Sequence, residues 1–186
     1  QRDVAEYLAD AKELGVSIEL VIETHFHADF LSGAVQLHHD AGATILASAA
    51  GRRAFDHVGL NDGDQVDLGG LRVQALATPG HTDEHIALLL TDGDRPVGVF
   101  SGGSLIVGSA ARTDLLGPQR TVELAHAQYQ SLHRLASLPD DVAVRSAEPC
   151  EPGYQPRYDA CGKTYRYLLH LSATRDPMLR HRAWHL

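Results

Sequence analysis

The sequence predicts a layered α/β domain with mixed sheets. Three observations carry the prediction. Helical periodicity alternates with short β-branched runs through the first fifty positions, hairpin signals follow in the middle, and one long amphipathic stretch closes the regular part. A chain of 186 residues, 44% of them hydrophobic, is enough for one domain with a sizeable core plus an appendage.

Val4, Leu8, Ala11 and Leu14 recur at helical spacing, with charges opposite and Gly15 as a stop, which predicts a surface helix. Ile18 to Ile22 is an apolar run of strand length that ends on the polar segment Glu23-Thr24-His25-Phe26-His27-Ala28-Asp29. Ser32 can cap a second helix that runs to about His39 and stops at Gly42, and Thr44 to Ala47 reads as another strand. Gln65 to Leu68 and Leu71 to Leu76 flank Gly69-Gly70 as a hairpin, and Ile86 to Leu90 and Val97 to Phe100 flank Asp92-Gly93 as a second one. A glycine-rich loop spans Ser101 to Gly108. Thr121 to Leu138 is a long helix with Leu124, Leu132 and Leu135 inward, and Val142 to Val144 is a last short strand. From Ser146 the chain turns proline-rich. The expected division is therefore a domain over 1–145 and a linker with a C-terminal appendage over 146–186.

A formal charge of −8 offers no basic footprint for nucleic acid or anionic membranes, and no apolar run reaches bilayer length. Two cysteines, Cys150 and Cys161, match neither a zinc ribbon nor a disulfide framework, so a reducing, cytoplasmic setting is expected. The chain opens on Gln1 and enters a helix at once, which predicts that the natural N-terminus lies upstream.

His25 and His27 stand on alternate positions of a strand-end loop, with Asp29 two residues on. Two imidazoles and a carboxylate at that spacing suit a borderline divalent cation. Thr78-Pro79-Gly80-His81-Thr82 is a second strand-end turn that exposes His81. The chain holds 12 histidines, and most have another reading. His38 and His39 point apart on a helix and are expected to be exposed, His85 is expected to pack, and His126, His133, His170, His181 and His185 have no partner at ligand spacing.

Thr24-His25-Phe26-His27-Ala28-Asp29-Phe30, Thr78-Pro79-Gly80-His81-Thr82, Phe100-Ser101-Gly102-Gly103 and Ala111-Arg112-Thr113-Asp114 together resemble the metallo-β-lactamase superfamily. The branch they resemble holds persulfide dioxygenases, rhodanese-fused proteins and glyoxalase II, and the likeness covers about residues 2–144. It implies an αββα sandwich, truncated here at its N-terminus, with His25, His27 and His81 as ligands of a first metal. A second metal would need Asp29, a histidine beside it, a late histidine and a bridging aspartate. Phe30, Glu148 and Gly103 stand at those last three positions. A dinuclear centre is thereby excluded, and so is the carboxylate that an iron-dependent persulfide dioxygenase requires.

The expectation is one divalent metal ion, zinc ahead of iron, with Asp29 as the catalytic carboxylate. The substrate is a small thiol-derived compound such as a glutathione thioester or persulfide, with no nucleic-acid or membrane partner. A homo-oligomer or a fused rhodanese domain fits the same branch. The alternative is an inactive pseudoenzyme that serves as a binding or regulatory module. Arg112 and Asp114 read as a salt-bridged structural loop. Residues 154–186, with Tyr158-Asp159-Ala160-Cys161-Gly162-Lys163 and the Arg180 to Trp184 run, resemble an internal segment of tRNA pseudouridine synthases without the catalytic region. Tyr165, Tyr167 and Leu169 alternate like a strand.

Overall fold

The computed structural model of the chain describes residues 3–27, 29, 31–106, 109–138, 169–170 and 184–185. Helix α1 spans Ala5–Leu14 and ends at Gly15, whose φ of 67° is the left-handed conformation that closes a helix. Strand β1 (Leu20–Glu23), helix α2 (Ala34–Ala41), strand β2 (Thr44–Ser48) and strand β3 (Val58–Leu60) follow, and the three strands form a parallel sheet in the order β1-β2-β3. Strands β4 (Gln65–Asp67), β5 (Leu71–Ala77), β6 (Ile86–Asp92) and β7 (Arg95–Phe100) then form an antiparallel meander. Helix α3 covers Thr121–Ala136 after a short 3₁₀ turn at Pro118–Arg120. The expected mixed sheets are both present.

The layering follows from which residues share a core. Leu20 and Ile22 of β1, Leu46 of β2 and Leu60 of β3 meet Ala75, Ile86 and Leu88 of the antiparallel sheet, so the two sheets pack face to face. Leu76, Ala87 and Leu89 sit one residue out of phase with these. They point to the other face, where Leu135 of α3 covers them. Val4 at the start of α1, Leu37 of α2 and Ala43 cover the outer face of the parallel sheet through Val21 and Ile18. The order of layers is helix, sheet, sheet, helix. Full burial of Leu124 and Leu135 anchors α3 with about 1.5–3 kcal/mol apiece, while Leu132 is half-buried at the edge.

Ser32 acts one step earlier than expected. Its Oγ accepts the Ala34 N–H at 3.1 Å, while Gly33 is the residue that precedes α2. Strand β3 has no counterpart in the sequence reading. It is three residues long with Gly59 at its centre, and a Cβ there would lie 3.1 Å from that of Ala49. The glycine that weakens the strand signal is what lets the chain pass close to Ala49.

The chain divides into two compact units, Gln1–Ile106 with Ala110–Pro149, and Val107–Ser109 with Cys150–Leu186. The layers above belong to the first unit. In the second, strands β8 (Leu169–His170) and β9 (Trp184–His185) pair in parallel. The expected strand at Val142 to Val144, the proline-rich boundary at 146–156, and most of the tail that resembles a pseudouridine synthase segment lie outside the described residues. No helix among the described residues is long and apolar enough to cross a membrane.

Candidate metal centre

Strands β1, β5 and β7 all release their chains at one end of the sandwich. β1 leads into Thr24–His27, β5 into Thr78–His81, and β7 into Ser101–Ser104. The Ile86 N–H donates to the Thr24 carbonyl at 2.9 Å, which joins the start of β6 to the loop after β1 and seams the two sheets at that point. Pro79-Gly80 turns against α3. A Cβ on Gly80, where φ is 141°, would lie 2.5 Å from Gln128 Cα, so helix and turn are in direct backbone contact. Ser131 Oγ donates to the Pro79 carbonyl at 2.7 Å, and Gln128 Nε2 donates to the Ser104 carbonyl at 2.5 Å. One helix thus braces two of the three loops.

The three predicted histidines meet around His25. Its ring centroid is 4.2 Å from that of His27 and 5.0 Å from that of His81, edge-on to the latter. Burial pushes the His25 imidazole down to about 4 from its usual 6.5, and the neighbouring imidazoles of His27 and His81 add to the shift. His27 is also lowered, chiefly by burial. At neutral pH His25 is therefore in the uncharged form that a metal ligand needs. The far nitrogens are held. His25 Nδ1 lies 2.9 Å from Thr24 Oγ1, and His81 Nδ1 lies 2.8 Å from the Arg112 carbonyl. A carbonyl only accepts, so His81 carries its proton on Nδ1 and presents the Nε2 lone pair when neutral.

His85 packs, as expected, but it does so with every polar atom engaged. It is 1% exposed and stacks on His25 with centroids 4.8 Å apart. The N–H groups of Gly103 and Ser104 donate to its Nε2 at 2.9 and 3.2 Å. Backbone amides only donate, so Nε2 accepts and the proton sits on Nδ1, 2.8 Å from Thr78 Oγ1. Burial, then the charges of the other histidines, lower this imidazole to about 3. His85 is a buried post to which the loop after β7 is tied.

Sequence reasoning missed Glu84. It is buried, and its Oε1 accepts the Phe26 N–H at 2.7 Å, directly between His25 and His27. The only signal was a charged residue in a segment otherwise heading into an apolar strand. Arg112 and Asp114 form the expected bridge, with Nε to Oδ1 at 2.5 Å and Nη2 to Oδ2 at 3.0 Å, and the loop they hold supplies the carbonyl that orients His81.

Asp29 is on the surface, its side chain 83% exposed, with Oδ1 3.7 Å from His27 Nδ1. His38 and His39 are exposed, as expected, and His126 and His133 are exposed as well. Phe30 and Glu148, which stand at second-metal positions, lie outside the described residues. Gly103 is described, and a Cβ there would sit 2.8 Å from His81 Cδ2 and 3.3 Å from His25 Nε2. The position expected to supply a bridging carboxylate is therefore beside the imidazoles, and it carries no donor.

Three imidazoles, two of them with an anchored Nδ1, are donors of the kind that suit a borderline divalent cation. Among the described residues no group of three or more His, Cys, Asp or Glu side chains stands ready to hold a metal ion.

No family model matches the chain. The metallo-β-lactamase from Staphylococcus aureus superposes with a TM-score of 0.71 at 32% identity, over 76% of this chain and 44% of that one. The chain has the metallo-β-lactamase fold. ETHE1 from Myxococcus xanthus matches at a TM-score of 0.65 with 38% identity, over 75% of this chain and 57% of that one. Another member of the fold, solved in a di-iron-bound form, matches at 0.58 with 25% identity, over 75% and 74% of the two chains. Among curated proteins, the hydroxyacylglutathione hydrolase of Pseudomonas entomophila is 31% identical over 163 residues, 80% of this chain and 60% of that protein. The enzyme of the same name from Brucella anthropi is 31% identical over 144 residues, 76% and 52%. This metallo-β-lactamase fold therefore has glyoxalase II and ETHE1-like neighbours, and the chain spans between half and two thirds of those two curated relatives.

Proposed function

We propose that the chain is a metal-dependent hydrolase domain for a small thiol-derived substrate, of which a glutathione thioester is the leading class. It works with one divalent cation, zinc ahead of iron, on His25, His27 and His81. The observation that carries this is the gathering of three imidazoles from two strand-end turns around the buried, neutral His25. The names of its relatives, hydroxyacylglutathione hydrolase and ETHE1, favour a glutathione-linked substrate.

When bound, the cation would polarise the thioester carbonyl and lower the pKa of a water toward about 7. The chain's own residues do the rest. Thr24 and the Arg112 carbonyl hold two rings in orientation, and His85 holds the Ser101–Ser104 loop against them. Asp29, exposed beside His27, orients the attacking water or takes its proton. Persulfide oxygenation is disfavoured, because an iron centre of two histidines and one carboxylate lacks that carboxylate at Gly103.

A second reading, an inactive module that keeps the fold for binding or regulation, is favoured by Gly103 and by the absence of a ready ligand group among the described residues. Metal analysis of protein purified without chelator separates the two. About one equivalent of zinc, lost in His81→Ala, supports the hydrolase, and less than about a tenth of an equivalent in the unaltered protein overturns it.

A further inference from the structure

Below the loop that carries His25 and His27 lies a group of charges that the proposed chemistry does not use. The Arg53 side chain is fully buried, with Nε 3.4 Å from Glu23 Oε2 and Nη1 3.4 Å from the Ser48 carbonyl. Its guanidinium carbon sits 4.3 Å from the centre of the Phe26 ring. Glu84 Oε1 accepts the N–H of the same Phe26 at 2.7 Å. Gly51 makes the room, since a Cβ there would strike Arg53 and press closely on Glu84 and Phe26. Arg53 Nη2 and Glu23 Oε1 are buried without a hydrogen-bond partner. Unpaired buried groups cost stability, and a buried ion pair with bonds this long is a poor way to hold a fold together.

What the cluster does achieve is to grip one residue from two sides. Phe26 separates His25 from His27, so fixing its amide and its ring fixes the backbone from which both imidazoles project. We propose that Glu84, backed by Arg53, is a positioning residue that holds His25 and His27 in register for metal binding by clamping Phe26. The inference rests on the metal reading above. A charge-assisted bond to a single backbone amide is short and directional, and a carboxylate reaching 58 residues along the chain ties the loop after β1 to the turn after His81. Both halves of the ligand set are then registered by one side chain.

Two conservative variants separate clamping from a mere charge effect. Glu84→Gln keeps the reach and the acceptor oxygen but removes the charge, whereas Glu84→Asp keeps the charge and withdraws the oxygen by one methylene. In the full chain titrated with Co²⁺ alone, Glu84→Gln should stay within about threefold of the unaltered affinity and keep its ligand-field spectrum. Glu84→Asp should bind about 10–100-fold more weakly with an altered spectrum. Hydrogen exchange of the Phe26 amide in the metal-free proteins should follow the same order, protected in the unaltered chain and Glu84→Gln and about tenfold faster in Glu84→Asp. Any other pattern, with Asp retained and Gln weakened, both retained or both equally lost, overturns the proposal. If the unaltered chain takes up no cobalt, the metal reading fails, and the Phe26 exchange still decides whether the clamp exists.

Discussion

Lowering the pH from 7 to 5 should destabilise the metal-free protein steeply, because two buried histidines resist protonation in the folded state. Burial and neighbouring imidazoles lower His25 to about 4 and His85 to about 3, whereas both return to about 6.5 in the unfolded chain. Below pH 6.5 the unfolded chain therefore takes up two protons that the folded chain refuses. The stabilisation is complete above that value and is lost as the pH falls toward the folded values. Integrated from pH 7 to pH 5, each histidine contributes about 2 kcal/mol, on the order of 4 kcal/mol together. Against a total of about 5–15 kcal/mol for a typical domain, that loss is large. Asp62 and Asp114 are held below the usual carboxylate range by Arg134 and Arg112, so their own losses fall at lower pH, whereas His27, also lowered by burial, adds to the loss within this window. Urea unfolding followed by far-UV circular dichroism with a chelator present, at pH 7, 6 and 5, reads the effect directly. A midpoint that stays level from pH 7 to 5, or imidazole resonances of His25 and His85 that titrate near 6.5, would refute the reasoning.

Gly80→Ala drives a methyl into the Gln128 backbone at a φ of 141° and should cost about 3 kcal/mol or more, seen as a fall in Tm. Gly103→Asp places its Cβ 2.8 Å from His81 Cδ2, so the ring must swing and strain its bond to the Arg112 carbonyl. The metal-free variant should lose about 1–3 kcal/mol, with recovery on adding Fe²⁺, and an unchanged Tm without metal would show that the rings do not lie over Gly103. Leu135→Ala, under the antiparallel sheet and with no polar tie to the loops that carry the histidines, should cost about 2–5 kcal/mol in urea unfolding while leaving metal uptake unchanged.

The parts of this fold that were legible in the sequence are those whose signal is local. The Gly69-Gly70 and Asp92-Gly93 hairpins and the Gly15 and Gly42 helix stops each depend on a few adjacent residues, and all four are present. The alternation of Leu88 with Ala87 and Leu89 likewise reports two buried faces. Strand β3 was not legible, because three residues built on Gly59 hold no periodicity and exist through pairing with β2. The site divides the same way. His25, His27 and His81 announce themselves by spacing, while Glu84 and Arg53 act on Phe26 across 58 and 27 positions of chain, a relation that no window of sequence contains. Gly103 drew notice in the sequence because the resemblance sets a carboxylate at that position, whereas its closeness to the His81 ring is a product of packing.

The tie between His85 and the loop after β7 has a consequence for how this end of the molecule can evolve. Its donors are the main-chain amides of Gly103 and Ser104, and the hold on His81 is the main-chain carbonyl of Arg112. Main-chain groups survive every side-chain substitution except proline. A mutation at 103 can therefore change what faces the imidazoles while leaving the bond that anchors His85 in place. Selection is thus free to rewrite that surface one codon at a time, while the platform beneath it stays standing.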